Sequence, residues 1–281
     1  MKKGMKVWLL IAAILCSVGL TVCVIAWAAV DFDFMKLDSA DFTDNFYEFD
    51  GYIDGIHISF DTANIRFGVS PDSVVRVFTH EKEDNLHIVQ KASGKLLIFR
   101  AKKPWYQKLD FSFEEEWITV HLPEDVFYSL TAKVNTADLV LSSGLSFSGV
   151  NLETDTGDIH IASEVRGSIT VKADTGDVLL ENTNPRYIEI ETDTGDVTLK
   201  NTLCRRDLSI TTDTGDVSFD RLDAESLTIE TDTGDVEGTL LSDKTFDTKS
   251  QTGDENVPLG TTGGLCKVKS QTGDIEIRVV K

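Results

Sequence analysis

Through its second half this chain alternates. In Ile188-Glu189-Ile190-Glu191-Thr192, apolar or small residues take every second place and charged residues the places between. A period of two belongs to a β-strand with one buried face. The alternation stops at a corner and resumes as Val197-Thr198-Leu199-Lys200. Its parity shifts by one across Thr194-Gly195, so the corner absorbs an extra residue. β-Branched residues are abundant and no 3.6-residue period occurs, which excludes a stack of helices.

The corner is the same each time. Thr-Gly-Asp, preceded by Asp or Gln, returns with its glycine at Gly157, Gly176, Gly195, Gly215, Gly234, Gly253 and Gly273, always 19 or 20 residues apart. A short fixed period predicts a solenoid, in which each repeat buries its apolar face on its neighbours. At about 4.8 Å per coil the seven repeats would span roughly 34 Å. Glycine at the third place tolerates φ > 0, as a type II or bulged type I turn requires. The first Asp can accept a hydrogen bond from the backbone two residues on. Thr154, Thr192, Thr212 and Thr231 share the inward phase and are expected to form a ladder.

Weaker copies extend the pattern backwards. Leu130–Leu141 has the frame with Ala137 at the glycine place, and Ile56–Phe67 has it with Ala63. Between them the period breaks into longer strands, Val74–Thr79, Leu86–Gln90, Lys95–Arg100 and Trp117–Leu122, with a hairpin signal at Ser93-Gly94. Most of the aromatic residues lie between Phe32 and Tyr128. Residues 51–129 therefore read as an aromatic-rich N-terminal β cap over the repeats of 130–281, with 31–50 as a linker. A solenoid needs such a cap to cover its first coil.

The start of the chain is different. Residues 7–30 carry no charge, Lys2, Lys3 and Lys6 precede them, and Asp31 and Asp33 follow. This run is long enough to cross a bilayer, since about 20 apolar residues suffice. The basic flank places 1–6 in the cytoplasm and everything after Val30 outside. The rival is a cleaved secretory signal ending at Ala26-Trp27-Ala28. Export is expected either way. Cys16 and Cys23 follow the bulky Leu15 and Val22, unlike lipidation cysteines.

The formal net charge is −20, and Lys2, Lys3 and Lys6 are the only charges before residue 31, so the remainder is more acidic still. Such a surface repels nucleic acid and anionic lipid, and favours cations or basic partners. Cys204 and Cys266 sit about three coils, roughly 14 Å, apart, beyond the reach of a disulfide. Both are expected to be buried thiols.

Little here promises catalysis. His57, His80, His87, His121 and His160 are scattered without ligand spacing and read as strand-face residues. Phosphate loops, nucleophile elbows and zinc-protease motifs do not occur. Polysaccharide-acting β-helix enzymes build clefts from long loops, and the connections here are short. The repeated polar feature is an acidic edge: Asp155/Asp158, Asp174/Asp177, Asp193/Asp196, Asp213/Asp216 and Asp232/Asp235 flank five consecutive corners. Stacked carboxylates about 4.8 Å apart repel by roughly 1 kcal/mol per neighbour in water. Turn capping or bound calcium would relieve that, and Gln251 and Gln271 in the last coils speak against a ligand series.

With these features in place the chain resembles the bacterial "putative adhesin" family, which includes LiaG-like envelope proteins of unknown function. The resemblance covers roughly residues 50–281. It rests on Ile56-His-Ile-Ser-Phe60, on Trp117-Ile-Thr-Val-His-Leu-Pro123 leading into Leu130-Thr-Ala-Lys-Val134, and on the Thr-Gly-Asp-Val/Ile corners. It implies a cell-surface β-solenoid and carries over no catalytic residues. The expectation is thus an all-β, single-stack β-solenoid of 19–20 residues per coil with an N-terminal cap, preceded by one transmembrane helix. It would serve as a non-catalytic, adhesin-like binding or scaffold module for an envelope protein or glycan, or else as a cation-dependent spacer.

Overall fold

The computed structural model describes residues 3–29, 41–100, 114–260 and 262–280. Lys2, Val30 at the end of the expected membrane span, the 31–40 part of the expected linker and the 101–113 part of the expected cap lie outside the described residues. The chain divides into two compact units, one holding helix α1 (Lys3–Ala29) and the other Phe42–Lys102 with Glu116–Lys281. Over its described residues no helix is long and apolar enough to cross a membrane. Within α1 every side chain described from Ile14 to Ile25 is exposed.

The second unit is all-β. Its first strands are β1 (Phe42–Phe49), β2 (Gly55–Thr62), β3 (Asn64–Val69), β4 (Val75–Lys82), β5 (Ile88–Ala92), β6 (Lys95–Phe99), β7 (Trp117–Leu122), β8 (Phe127–Thr136) and β9 (Leu139–Leu141). From there each repeat supplies one strand before its glycine and one after, such as Tyr187–Thr194 and Val197–Lys200. The leading strands form one parallel ladder and the trailing strands another. Inward residues Ile188, Ile190, Val197 and Leu199 meet between the two sheets at 0–2% exposure.

The stack starts earlier than the clear repeats. Ile56 pairs with Leu130 and Ile65 with Leu139, so β2–β3 lies flush on β8–β9 despite the intervening excursion. β6 and β7 in turn run parallel to β2 and β3, with Lys95 opposite Gly55 and Trp117 opposite Asn64. They act as one more coil, opened in the sense that residues 100–116 rather than a tetrapeptide join its two strands. Antiparallel strands close this end: β5 pairs β6, and β4 pairs both β7 and β1. Ser93 and Gly94, at φ 51° and 77°, turn the β5–β6 hairpin as expected. β1 falls within the expected linker. Its acidic residues Asp44 and Glu48 mask an alternation in which Tyr47 and Phe49 pack on the core.

At the far end the order of coils departs from the order of the chain. Strand Gly264–Thr272 pairs with Ser226–Thr233 on one side and with Lys244–Thr252 on the other. Ile275–Val279 likewise sits between Val236–Leu240 and Glu255–Asn256. The Gly273 coil is thus inserted between the Gly234 and Gly253 coils. The buried Lys244 holds the displaced coil, its Nζ 2.7 Å from Asp223 Oδ1 and 2.6 Å from Ser242 Oγ.

Cys204 and Cys266 are buried free thiols, and burial pushes the Cys266 thiol up to about 12. The inward Thr ladder also forms, with Thr154, Thr192, Thr212 and Thr231 at 1–4% exposure. In register with it stand Val134 and Phe60 on one side, Ala173 between Thr154 and Thr192, and Ser270 towards the other end.

The corner differs from a type II or bulged type I turn. From Gly157 to Gly273 the corner glycines have φ between 137° and 154°, far from the +80° of a type II turn. A second constraint acts with it. A Cβ on Gly195 would stand 2.0 Å from the carbonyl oxygen of Gly176, and Gly176, Gly215 and Gly234 meet their own neighbours at 2.0–2.2 Å. Ala63 and Ala137 fit at the first two corners without a positive φ, their methyls buried at 2% exposure. We therefore expect Gly195→Ala to destabilise the β unit by more than about 3 kcal/mol, because backbone would have to move. Ala137→Gly should cost only about 1 kcal/mol. Chemical denaturation measures both, and a Gly195→Ala protein as stable as its parent would contradict this corner geometry.

Candidate functional site

The paired aspartates of the corners do different things. Each second Asp turns its carboxylate onto the backbone N–H of the corresponding Asp one coil on. Asp158 Oδ1 accepts from Asp177 N, Asp177 from Asp196, Asp196 from Asp216 and Asp216 from Asp235, at 2.8–2.9 Å. The chain of bonds begins where Asn64 accepts from Asp138 and Asp138 from Asp158. It follows the coils in space, from Asp235 to Asp274 and then to Asp254. The expected bond to the first Asp is therefore replaced by one to the second. Asp155, Asp174, Asp193, Asp213 and Asp232 form a separate, exposed row, in which Gln271 donates to Asp232. Among the described residues no group of three His, Cys, Asp or Glu side chains is arranged to hold a metal ion.

The histidines are likewise kept apart. His160 meets Glu181 at 2.8 Å and His80 meets Asp44 at 2.7 Å. His87 departs from the strand-face reading: it lies in the loop before β5, and its ring is buried against Phe60. Its Nδ1 is 2.6 Å from Glu81 Oε2, and Glu81 also accepts from Thr79 and Asn45. Beside them Arg100 holds Glu116 with two bonds of 2.5 and 2.9 Å. Burial pushes the His87 imidazole down, and the Glu81 contact only partly opposes this. Burial alone would raise the Glu81 carboxyl, but hydrogen bonds from His87, Thr79 and Asn45 outweigh it and bring it to about 2. Nothing in the spacing of these residues along the chain signals the network, because four separate segments contribute to it.

Aromatic rings gather on the outward face of β1, β4 and β7. Phe42, His80 and Trp117 stack nearly parallel, with centroids 5.0 and 5.5 Å apart and planes within 16° and 12°. Phe46 lies 4.8 Å from Phe78, whose ring meets the edge of His121 at 5.4 Å. Trp117 is 42% and Phe46 52% exposed. On the β3 side, Trp117 borders a groove of about 390 Å³ lined by Asn64, Arg66, Thr119, Asp138 and Val140. Because Trp117 stands opposite Asn64, it occupies the corner row of the opened coil, where the aspartate chain begins. In the sequence Trp117 stood as the start of a strand and as part of the family resemblance, not as a site residue. The alternation Trp117-x-Thr119-x-His121 did mark it as outward.

The profile of the Toastrack DUF4097 family matches residues 53–206 and again 163–281. The chain belongs to the Toastrack DUF4097 family. Two overlapping matches suit a Toastrack domain made of interchangeable coils. Among solved structures, a Bacteroides fragilis protein named a "putative adhesin" is 14% identical, with a TM-score of 0.51 over 86% of this chain and 99% of that one. A Parabacteroides distasonis protein named a "putative lipid binding protein" is 12% identical, with a TM-score of 0.55 over 85% and 97%. At such identities these structures share the Toastrack fold alone. A comparison with curated proteins finds no match.

Two measurements follow for this Toastrack domain. Acidification should loosen its cap. His87 is neutral when folded and takes a proton more readily when unfolded, so stability falls as pH drops below 6.5, the ordinary histidine value. The Glu81 contribution is present above 4.5 and is lost as pH falls towards about 2. Melting curves recorded from neutral to acid pH should show both losses, and Glu81→Gln should remove the lower one. For the corners, Asp196→Ala should lower Tm by about 3 °C and Asp196→Asn by less, since Asn keeps an acceptor for the Asp216 N–H. Calcium should raise Tm no further than sodium chloride of equal ionic strength. A calcium-specific rise would assign the corner carboxylates to ion binding.

Proposed function

We propose that the chain is a non-catalytic binding module displayed outside a membrane, with the uncharged run of residues 7–30 as its anchor and the coils as a single-stack β-solenoid. The observation that carries this reading is the exposure of apolar side chains along α1. Ile14, Leu15, Val18, Leu20, Val22, Val24 and Ile25 are each 53–67% exposed. Apolar surface left in water costs about 25 cal/mol per Å², and a bilayer removes that cost along a whole helix. The polar residues in this stretch serve the helix itself: Ser17 Oγ donates to the Ile14 carbonyl and Thr21 Oγ1 to that of Ser17. Such internal bonding suits hydrocarbon, where every polar group must find a partner in the protein. The uncharged run of residues 7–30 extends beyond this stretch on both sides, and Lys2, Lys3 and Lys6 orient it with the β unit outside.

A binding role is supported by an open surface rather than an enclosed cavity. The groove at Trp117 lies on a rigid, hydrogen-bonded sheet, and Glu81, His87, Arg100 and Glu116 are engaged in structural bonds. The second carboxylate of each corner already accepts an N–H group, which disfavours the reading of the stack as a cation-dependent spacer. The names of the structural neighbours, adhesin and lipid binding protein, agree with binding in general.

A reporter fused after Lys281 should be active only outside the cytoplasm. The chain should remain in the membrane fraction after high-salt washing. A reporter active in the cytoplasm would overturn the orientation, and a soluble exported form beginning near Ala29 would overturn the anchor.

A further inference from the structure

We propose that the groove beside Trp117 binds an uncharged sugar ring of a glycan chain, stacked on the indole. The proposal rests on reading the chain as a displayed binding module and names the site and its ligand class. A pyranose has one face of C–H groups and a rim of hydroxyls, so it is held by a flat aromatic ring with hydrogen-bonding groups at its edge. Trp117 supplies the ring. His80 occupies one face of it, 5.5 Å away and only 12° from parallel, and the groove opens towards β3. Arg66 and Thr119 stand in adjacent places on the same outward row, Arg66 directly opposite Thr119, and supply donors and an acceptor to the rim. Among the described residues the Arg66 side chain forms neither a hydrogen bond nor an ion pair, although the chain is strongly acidic. Val140 gives the groove a further apolar surface, and the volume of about 390 Å³ lies within the roughly 300–1,000 Å³ of small-molecule sites.

Other occupants fit less well. An anionic sugar or a nucleic acid would meet Asp138 at the groove and a net charge of −20 beyond it. An apolar protein surface would bury the Arg66 guanidinium without a partner, a heavy desolvation cost. A sugar replaces the lost water with its own hydroxyls. Phe46 on Phe78 continues the aromatic surface along β1 and β4, where a second ring of the same chain can lie. One stacked ring gives weak affinity, and a glycan presenting many such rings strengthens it through repeated contact.

The test uses the full chain in a detergent without a sugar headgroup, titrated by calorimetry with cellohexaose, chitohexaose and maltohexaose, and with an oligouronate as the charged counterpart. At least one uncharged hexaose should bind. Trp117→Ala should weaken it by about tenfold, and Trp117→Phe, which keeps a ring, by about threefold or less. Arg66→Gln should weaken it by about fivefold. Tm should stay with the parent in all three, and if Trp117→Ala lowers it, Arg66→Gln decides. Binding of no uncharged hexaose, binding indifferent to both residues, or preference for the uronate would overturn the site. These outcomes are independent of membrane topology: a chain that fails the reporter assay can still bind, and a displayed chain can fail to.

Discussion

The stack depends on one close approach, that of each corner glycine to the carbonyl oxygen of the corner residue on the adjacent coil. At Gly195 the space for a Cβ is only 2.0 Å from Gly176 O. No side chain can be accommodated there, so the corner cannot slip by one residue without a steric penalty at every level. A slip of one would also turn the whole inward set to solvent. Once the glycines are superimposed, Val178, Val197, Val217 and Val236 are superimposed as well, and the core follows. The aspartate after each glycine is then presented to the N–H of its successor. The hydrogen-bond chain along the acidic edge is thus a consequence of glycine packing. It also explains how like charges can be stacked so closely, since each carboxylate faces a donor.

The parts of this fold that repeat were legible, and the parts that depend on contacts between distant segments were not. Alternation in Tyr187–Lys200 and the corner tetrapeptide revealed strand, phase and period, and the inward Thr row came from parity alone. The same uniformity hid the exchange of the last two coils. The inward residues of the Gly273 coil, Cys266, Val268 and Ser270, match either neighbour, so nothing local tells the chain which comes next. The network of Glu81, His87, Arg100 and Glu116 was invisible for a different reason. Its members come from strands and loops that meet through both parallel and antiparallel pairing at the irregular end. The groove at Trp117 combines both cases: its outward phase could be read, but its neighbours Arg66 and Asp138 come from coils far apart in the chain.

The two ends of the domain have distinct surfaces. From Asn64 onward the corner row is a line of capped aspartates, regular and hydrophilic. At the opened coil the same row holds Trp117, and the adjoining face carries rings instead of carboxylates. The repeats therefore provide a stiff and soluble body, while the irregular coil provides a different chemical surface on the same rigid sheet. The buried ion network lies behind that surface and gives its strands a fixed backing.

The inserted Gly273 coil imposes an order on assembly. Its strands must enter between two coils that precede them in the chain, so Ser226–Thr233 and Lys244–Thr252 gain their pairing on this side only when Gly264–Thr272 is in place. A chain stopped between residues 253 and 263 would leave the facing backbone groups of both strands without these partners. The displaced coil forms the terminal edge of both sheets, with nine residues in Lys244–Thr252 and two in Glu255–Asn256, so only the first is long enough to receive a further strand.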